Sequence, residues 1–219
     1  MKRSQIWMLL WNFFPLGHCA LIAYLAAYLD AGPLGRWTAA TVCLFLLPPL
    51  LARLVVAVVR MHEGRIALGT SAFLAWWATA QFQMIFNRLP VLEELLRLVP
   101  GLYSNWLRLW GSHIGRLTFW APGVRVLDRG YLNLGDDVVF GAGVRLNSHV
   151  LLKEQSGAWQ LVLAPITIGS RAVIGGYALL TAGTDVAVEE VTRAHLLSPP
   201  FTKWRDGKRV REDEVSHEA

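Results

Sequence analysis

NLGDDVVFGAGVRLNSHVLL, residues 133–152, repeats its pattern every six positions. Leu134-Gly135, Phe140-Gly141 and Leu146-Asn147 open successive hexads, and Val138, Val144 and Val150 stand four positions after each opening. ITIGSRAVIGGYALLTAGTDV, residues 166–186, does the same. Ile168-Gly169, Ile174-Gly175, Leu180-Thr181 and Val186-Ala187 open its hexads, with Ala172, Ala178 and Thr184 in the fourth-following places. A less regular unit precedes both, with Ile114-Gly115 and Thr118 in the matching positions.

A period of six is neither the two of a half-buried strand nor the 3.6 of a helix. It fits a flat strand that turns a corner every six residues, so that three sides close a coil of about 18 residues. The opening residue points into the prism. The next position needs a small residue, or one that tolerates left-handed backbone, which accounts for the glycines. Each coil bonds to its neighbour, so the pattern has to stay in phase. The turns of a small β-sandwich do not return at a fixed six. The expected fold is therefore mixed: N-terminal membrane and interfacial α-helices, then a short parallel β-helix over residues 112–198. Residues 152–167, LKEQSGAWQLVLAPIT, break the phase and should leave the prism as a loop with a short flanking strand. Loops on a rigid repeat scaffold are where binding residues gather. So short an array has little core and open ends. Oligomer contacts are expected to complete it, with upstream helices over the first coil.

Upstream of the repeat the chain changes character. Of its 219 residues 54% are hydrophobic and 17% charged, against about 45–50% and about 25% in an ordinary globular domain. Residues 6–29 and 37–59 are each long enough to cross a bilayer, which takes about 20 apolar residues. Pro48-Pro49 should kink the second, and Arg53 can snorkel from near its end. Lys2 and Arg3 before the pair, and Arg60 and Arg65 after it, place both ends on the cytoplasmic side. Residues 1–65 then form a transmembrane helical hairpin in the inner (cytoplasmic) membrane, with the β-helix facing the cytoplasm. A secretory signal competes for residues 1–29, but its apolar core would be long and a second apolar stretch follows directly.

Residues 66–111 carry two further helical patterns and a Trp-rich turn. The apolar stretch 66–86 includes Thr70, Ser71, Thr79, Gln81 and Gln83, which argues against a third crossing. VLEELLRL, residues 91–98, turns Glu93, Glu94 and Arg97 away from its leucines, and YSNWLRLW follows at 103–110. All are expected as interfacial amphipathic helices on the bilayer. Residues 199–219 read as a charged tail. The net charge of +5 is scattered, with no basic run interleaved with aromatics, so no nucleic-acid partner is expected. The two cysteines, Cys19 and Cys43, lie in apolar stretches and supply neither a disulfide framework nor a zinc site.

On the hexads of 133–152 and 166–186, the chain resembles the left-handed β-helix, hexapeptide-repeat acyltransferase superfamily. The resemblance covers about residues 112–195. Membrane helices leading into the repeat, a His closing a hexad before an excursion, and the following IxIG are also similar to the transmembrane acyltransferase-like region of poly-lysine-type peptide synthetases. The resemblance implies a left-handed coil and a homotrimer with sites between neighbouring subunits. It implies transfer of an acyl group from acyl-CoA or an acyl carrier protein to a hydroxyl or amine, with a His as general base and no metal. No bound cofactor is implied; the donor is a substrate, and an acyl carrier protein is one partner that would deliver it.

Such a transfer requires the acceptor O–H or N–H to lose its proton as it attacks. Neutral imidazole takes that proton near pH 7, since its unperturbed pKa is about 6.5. His149, at the end of the first run and just before the excursion, is the expected base. Three positions after its hexad opening, it should point outward. Its orienting partner stays open among Asp128, Asp136, Asp137 and Glu154, of which Asp136 and Asp137 also suit turns. Asn147 is a candidate substrate contact or a corner residue. The backbone N–H groups at Gly175 and Gly176 are candidate oxyanion donors, or mark corner geometry alone. Lys153 and Arg171, with Arg193, are candidates for the phosphates of coenzyme A or a phosphopantetheine arm. Trp120 and Trp159 would line an apolar slot or simply pack. His18 is expected to pack on Asn12, and His62, His113, His195 and His217 form no constellation.

Three other classes make different demands. A γ-type carbonic anhydrase uses a parallel β-helix but needs three His ligands, and His149 has no second His near it in either run. A nucleotide-sugar transferase needs a nucleotide domain or phosphate-cradling Gly loop ahead of the repeat. A non-catalytic membrane-tethered oligomerisation or scaffold module makes no use of His149 and turns over no thioester.

Overall fold

The computed structural model describes residues 3–59, 61, 63–154 and 157–210. Lys2, Arg60, His62, residues 155–156 of the excursion and residues 211–219, with His217, lie outside the described residues. The chain forms two compact units, one from residues 1–62 and 67–88, the other from 63–66 and 89–219.

The first unit is helical. It contains α1 (Arg3–Asn12), α2 (Phe14–Tyr28), α3 (Gly32–Val59), α4 (Ser71–Phe82) and α5 (Met84–Arg88). Ser4–Tyr28 and Gly32–Val59 are long and apolar enough to cross a membrane, and only 6% and 17% of their most apolar windows are buried. Leu9, Leu16, Val42 and Val58 are among the apolar residues these helices leave exposed. α3 continues through Pro48 and Pro49, both buried.

α4 corrects the amphipathic pattern expected over 66–86. Its buried residues, among them Ala72, Phe73, Ala75, Trp76, Ala78 and Phe82, run around the helix instead of along one stripe. Phe82 meets Trp11 and Phe14 edge-on, at 5.3 and 4.6 Å between ring centroids. Trp77 Nε1 donates to Asn12 Oδ1 at 3.0 Å. His18 therefore has a partner other than the one expected: its Nε2 donates to the Cys43 carbonyl at 3.0 Å.

The second unit opens with β1 (Gly64–Ala67) and continues with α6 (Val91–Arg97) and α7 (Leu102–Trp110). Residues 66–111 divide between the two units. α6 and α7 cover the first coil of the repeat. Arg97 Nη2 donates to the Val124 carbonyl at 2.9 Å, and Trp120 Nε1 to Ser104 Oγ at 3.0 Å. Tyr103, Trp106, Leu107 and Trp110 are buried, while Val91, Leu95, Leu98 and Leu102 leave an apolar face exposed.

The repeat closes into a prism of three parallel sheets. One holds β2 (His113–Ile114), β5 (Leu132–Leu134), β10 (Ile166–Ile168), β13 (Asp185–Val186) and β15 (Lys203–Arg205). The second holds β3 (Phe119–Trp120), β6 (Val139–Phe140) and β11 (Val173–Ile174). The third holds β4 (Arg125–Val126), β7 (Arg145–Asn147), β12 (Leu179–Thr181) and β14 (Leu197–Ser198). Register steps from Ile114 to Leu134, Ile168, Val186 and Trp204, one coil at a time. This is a hexapeptide-repeat topology. Leu146, Ile174, Leu180, Val138, Val144, Ala172 and Ala178 are all fully buried, as the pattern required.

Of the two reasons expected for the glycines after the hexad openings, smallness and left-handed backbone, the structure shows the first. Left-handed backbone falls two positions later, at Leu117, Asp137, Gly143, Arg171, Tyr177, Gly183, Glu189, His195 and Phe201. Gly141 instead stands where a Cβ would lie 2.5 Å from the Gly176 nitrogen of the next coil, and one on Gly175 would lie 2.5 Å from Ala194 N. Close stacking of coils, not positive φ, excludes a side chain there.

Two further expectations are revised. The prism does not end at residue 198. Thr192, Ser198 and Thr202 continue the inward positions, buried and polar, and Trp204 Nε1 donates to Ser198 Oγ at 2.9 Å. β15 then pairs antiparallel with β16 (Lys208–Val210), so residues 199–210 belong to the prism and not to a charged tail. The excursion, placed above at 152–167, is a hairpin of β8 (His149–Lys153) and β9 (Trp159–Leu163), and β1 adds to the outer edge of β9. Val150, assigned by the period to the prism interior, packs instead beside Val162, Ala164 and Ala182 under this hairpin.

Candidate active site

The prism corner between the third and first sheets is irregular in two successive coils. In the first coil the chain takes two extra residues between Val126 and Leu134, and Asp128 and Arg129 sit in that longer corner. In the next coil the corner after β7 opens into the β8–β9 hairpin, and His149 is its first residue. Leu127 N donates to the Leu146 carbonyl at 3.0 Å, which fixes one corner against the other. The stacked irregularities bring together residues that the plain hexad would keep apart.

His149 Nδ1 lies 2.6 Å from Asp128 Oδ2. The His149 side chain is 25% exposed and that of Asp128 only 3%. An ionised carboxylate only accepts, so Nδ1 carries the proton and donates it, and basicity in the neutral ring belongs to Nε2. Burial pulls the His149 pKa down, but the hydrogen bond and charge of Asp128 together outweigh it and raise the pKa above the ordinary value. Asp128 is thus the partner selected from the four carboxylates considered. Asp136 is held by Arg116, whose backbone N–H donates to it at 2.7 Å and whose guanidinium lies at 3.1 Å. Those bonds keep the Asp136 carboxyl below its usual range. Asp137 is a left-handed corner residue, and Glu154 lies beyond the end of β8.

The backbone around His149 is pinned from both sides. Ser148, fully buried, donates from Oγ to the Tyr131 carbonyl at 2.9 Å, and Ile166 N donates to the same oxygen at 3.1 Å. Tyr131 N in turn donates to the Asp128 carbonyl at 3.1 Å. One carbonyl therefore fastens both ends of the excursion to the corner that carries Asp128. The phenol of Tyr131 is pushed up by burial and by the nearby carboxylates of Asp128 and Glu63. Sequence reasoning missed Tyr131 and Ser148, and only the corner lengthened by two residues signals that the region is special.

The other expected site residues divide. Asn147 precedes the hairpin in β7, with Oδ1 buried and without a hydrogen-bond partner. Lys153 is in β8, four residues from His149, on the strand face that also carries Leu151. Arg171 stands at a different corner, 2.7 Å from Glu189. Gly175 and Gly176 occupy the third corner, and the Gly175 N–H is taken by Thr192 Oγ1 at 3.0 Å. Within one chain these three do not meet His149. Trp120 is half-buried and stacked on Phe140 at 4.7 Å, and exposed Trp159 pairs with Lys153 in the hairpin. His195 stacks on Tyr177 at 5.3 Å, and His113 lies exposed in β2. Among the described residues no three His, Cys, Asp or Glu side chains converge as a ligand set. A groove of about 930 Å³ beside α7 is lined by Tyr103, Arg108, Leu117 and Phe119, with Trp120, Asp136 and Asp137 of the expected residues but neither His149 nor Asp128.

No protein-family model and no curated protein sequence matches the chain. Several solved structures do. A maltose O-acetyltransferase from Clostridium difficile 630 is 17% identical, with a TM-score of 0.40, covering 57% of this chain and 84% of that one. A hexapeptide-repeat-containing acetyltransferase from Vibrio cholerae O1 biovar eltor, complexed with acetyl coenzyme A, is 15% identical with a TM-score of 0.38. It covers 61% of this chain and 90% of that one. A galactoside acetyltransferase in complex with coenzyme A is 15% identical with a TM-score of 0.34, covering 53% and 73%.

Proposed function

We propose that the protein is a membrane-associated acyltransferase in which His149 is the general base. It moves an acyl group from acyl-CoA or an acyl carrier protein to a hydroxyl or amine acceptor. The observation that carries this reading is the His149–Asp128 pair at 2.6 Å, placed where a repeat scaffold opens into a hairpin. A partly exposed imidazole, oriented by a buried carboxylate, is arranged for proton transfer.

In the reaction, Nε2 of His149 takes the proton from the acceptor O–H or N–H as that atom attacks the thioester carbonyl. The C–S bond of the resulting tetrahedral adduct breaks, the acyl group stays on the acceptor, and the proton passes from His149 to the departing thiolate. Asp128 holds the ring orientation and stabilises the transient imidazolium. Asn147, whose buried Oδ1 has no partner in the chain, is available to a substrate N–H or O–H. Lys153, on the His149 face of β8, suits a donor phosphate. Arg171, Gly175 and Gly176 lie at other corners, so their part in the site requires a homotrimer in which another subunit presents them.

The two exposed apolar helices support an inner-membrane location, and the basic residues flanking them in sequence support a β-helix on the cytoplasmic side. A thioester donor is available there. The exposed leucines of α6 and α7 suit contact with the bilayer surface.

The test is thiol release from acetyl-CoA by the purified full chain. It is coupled to mass spectrometry of lipids and glycans from cells with and without the protein, searching for one added acyl mass. An added mass that disappears with His149→Ala supports the reading. Absence of both thiol release and any added mass makes the protein a membrane-tethered scaffold instead.

A further inference from the structure

Directly after Asp128 comes a charge that the transfer reaction does not use. Arg129 is 1% exposed, and its Nε donates to Glu93 Oε1 of α6 at 2.6 Å, with the Glu93 side chain 2% exposed. The Arg129 guanidinium also lies over the rings of Trp106 and Trp110, at 5.8 and 6.0 Å from their centroids. The second Glu93 oxygen accepts from the Tyr103 hydroxyl at 3.4 Å and lies 3.7 Å from Arg97 Nη2. A buried ion pair is weak evidence for stability, because desolvation offsets its attraction. Its position calls for another explanation. It lies in the same two-residue enlargement of the corner that sends Asp128 to His149.

We infer that Glu93 and Arg129 are positioning residues, and that Glu93 neutralises Arg129 so that the Asp128 carboxylate remains committed to His149. The inference rests on the reading of His149 as a base. An Arg side chain stays charged under all ordinary conditions. Without Glu93, a buried guanidinium would seek another anion, and the carboxylate adjacent in sequence belongs to Asp128. Asp128 would then be shared between Arg129 and His149. A shared carboxylate holds the imidazolium less strongly and orients the ring less well. α6, which covers the first coil, thereby also acts on the site.

Among the described residues, the charged and titratable groups near the His149–Asp128 pair include the following. Asp128 faces His149 from the first-coil corner. Tyr131 stands on that corner with Glu63 near it from the segment entering β1, and Lys153 lies further along β8. Each is left unchanged by a substitution at Glu93.

The experiment is a pH titration of His149 in the full chain in detergent, by NMR with carbon-13 at the imidazole, assigned by loss of the signal in His149→Ala. Glu93→Gln keeps the side-chain shape and removes the charge; the His149 pKa is expected to shift down from its wild-type position. Glu93→Leu combined with Arg129→Met removes both charges, and the His149 pKa is expected to return toward wild type. A purely structural role predicts that the double variant does no better than the single one. If Glu93→Gln does not fold, Glu93→Asp, which draws the carboxylate back by one methylene, takes its place with a smaller downward shift expected. An unchanged His149 pKa in a folded single variant, or no recovery in the double, overturns the inference. No substrate is present in the titration, so its outcome is independent of which reaction the protein catalyses.

Discussion

Asp128 and His149 meet across two successive coils at one edge of the prism, 21 residues apart in sequence and 2.6 Å apart in space. Both sit in departures from the hexad: an enlarged corner and the root of a hairpin. Replacing His149 by Ala is expected to lower acyl transfer by about 10²-fold or more while circular dichroism and oligomer size stay unchanged. Asp128→Asn keeps an acceptor atom but loses the charge, and a loss of at least about tenfold is expected. Normal turnover by His149→Ala removes this residue from the mechanism.

The pH dependence has a definite sign. Transfer needs neutral imidazole, and Asp128 raises the His149 pKa against the opposing effect of burial. The acid limb of kcat/KM should therefore report an apparent pKa above the usual His value of about 6.5. In Asp128→Asn that limb should move to lower pH, even as the maximal rate falls. A limb that stays in place would mean that another group controls the rate.

The same shift affects stability. A group whose pKa is raised on folding contributes stability that is fully present below its unfolded pKa and is lost as pH rises through the folded pKa. The Tm difference between wild type and His149→Gln should be larger at about pH 5.5 than at about pH 9. Thermal unfolding in detergent at the two pH values checks this, and an equal or reversed difference contradicts the raised pKa.

Stacking of the coils predicts a steric effect far from the site. In Gly141→Ala the new methyl would stand 2.5 Å from backbone of the next coil, so the coils must separate or shift. A loss of about 1–3 kcal/mol or more is expected from such overpacking. Leu180→Ala, at a fully buried inward position, should cost about 2–5 kcal/mol by leaving a cavity. Urea unfolding followed by tryptophan fluorescence would measure both, and a neutral Gly141→Ala would refute the stacking account.

Membrane association is checked by fractionation. The protein is expected to remain with membranes after alkaline carbonate washing, with its N-terminal helices still attached when its intact mass is measured. Release of a soluble form shortened by residues 1–29 would instead identify that segment as a cleaved signal.

Much of the prism was legible because its period is a local property. A strand that turns every six residues needs an inward apolar residue and a compact neighbour each time, and Leu134 through Val186 display both. The apolar lengths of residues 6–29 and 37–59 were legible for the same reason, since hydrophobicity is summed along the chain. The role of the glycines was less so. A glycine required by positive φ and one required by a neighbouring coil look identical in sequence, and Gly141 and Gly175 are of the second kind. The extension through Thr192, Ser198 and Trp204 was hidden because several of its inward positions, Thr192, Ser198 and Thr202, are polar.

By itself, the amino-acid sequence determined a hexad prism preceded by apolar helices, and a lone His at the mouth of an excursion. Only the tertiary structure decided that Asp128, and not Asp136, Asp137 or Glu154, faces that His. It also decided that Arg129 turns back to Glu93 of α6. The physical reason is that periodicity is set within each strand, whereas contacts between coils depend on where irregular corners fall when stacked. Two extra residues after Val126 reach their meaning only once the next coil is laid against them.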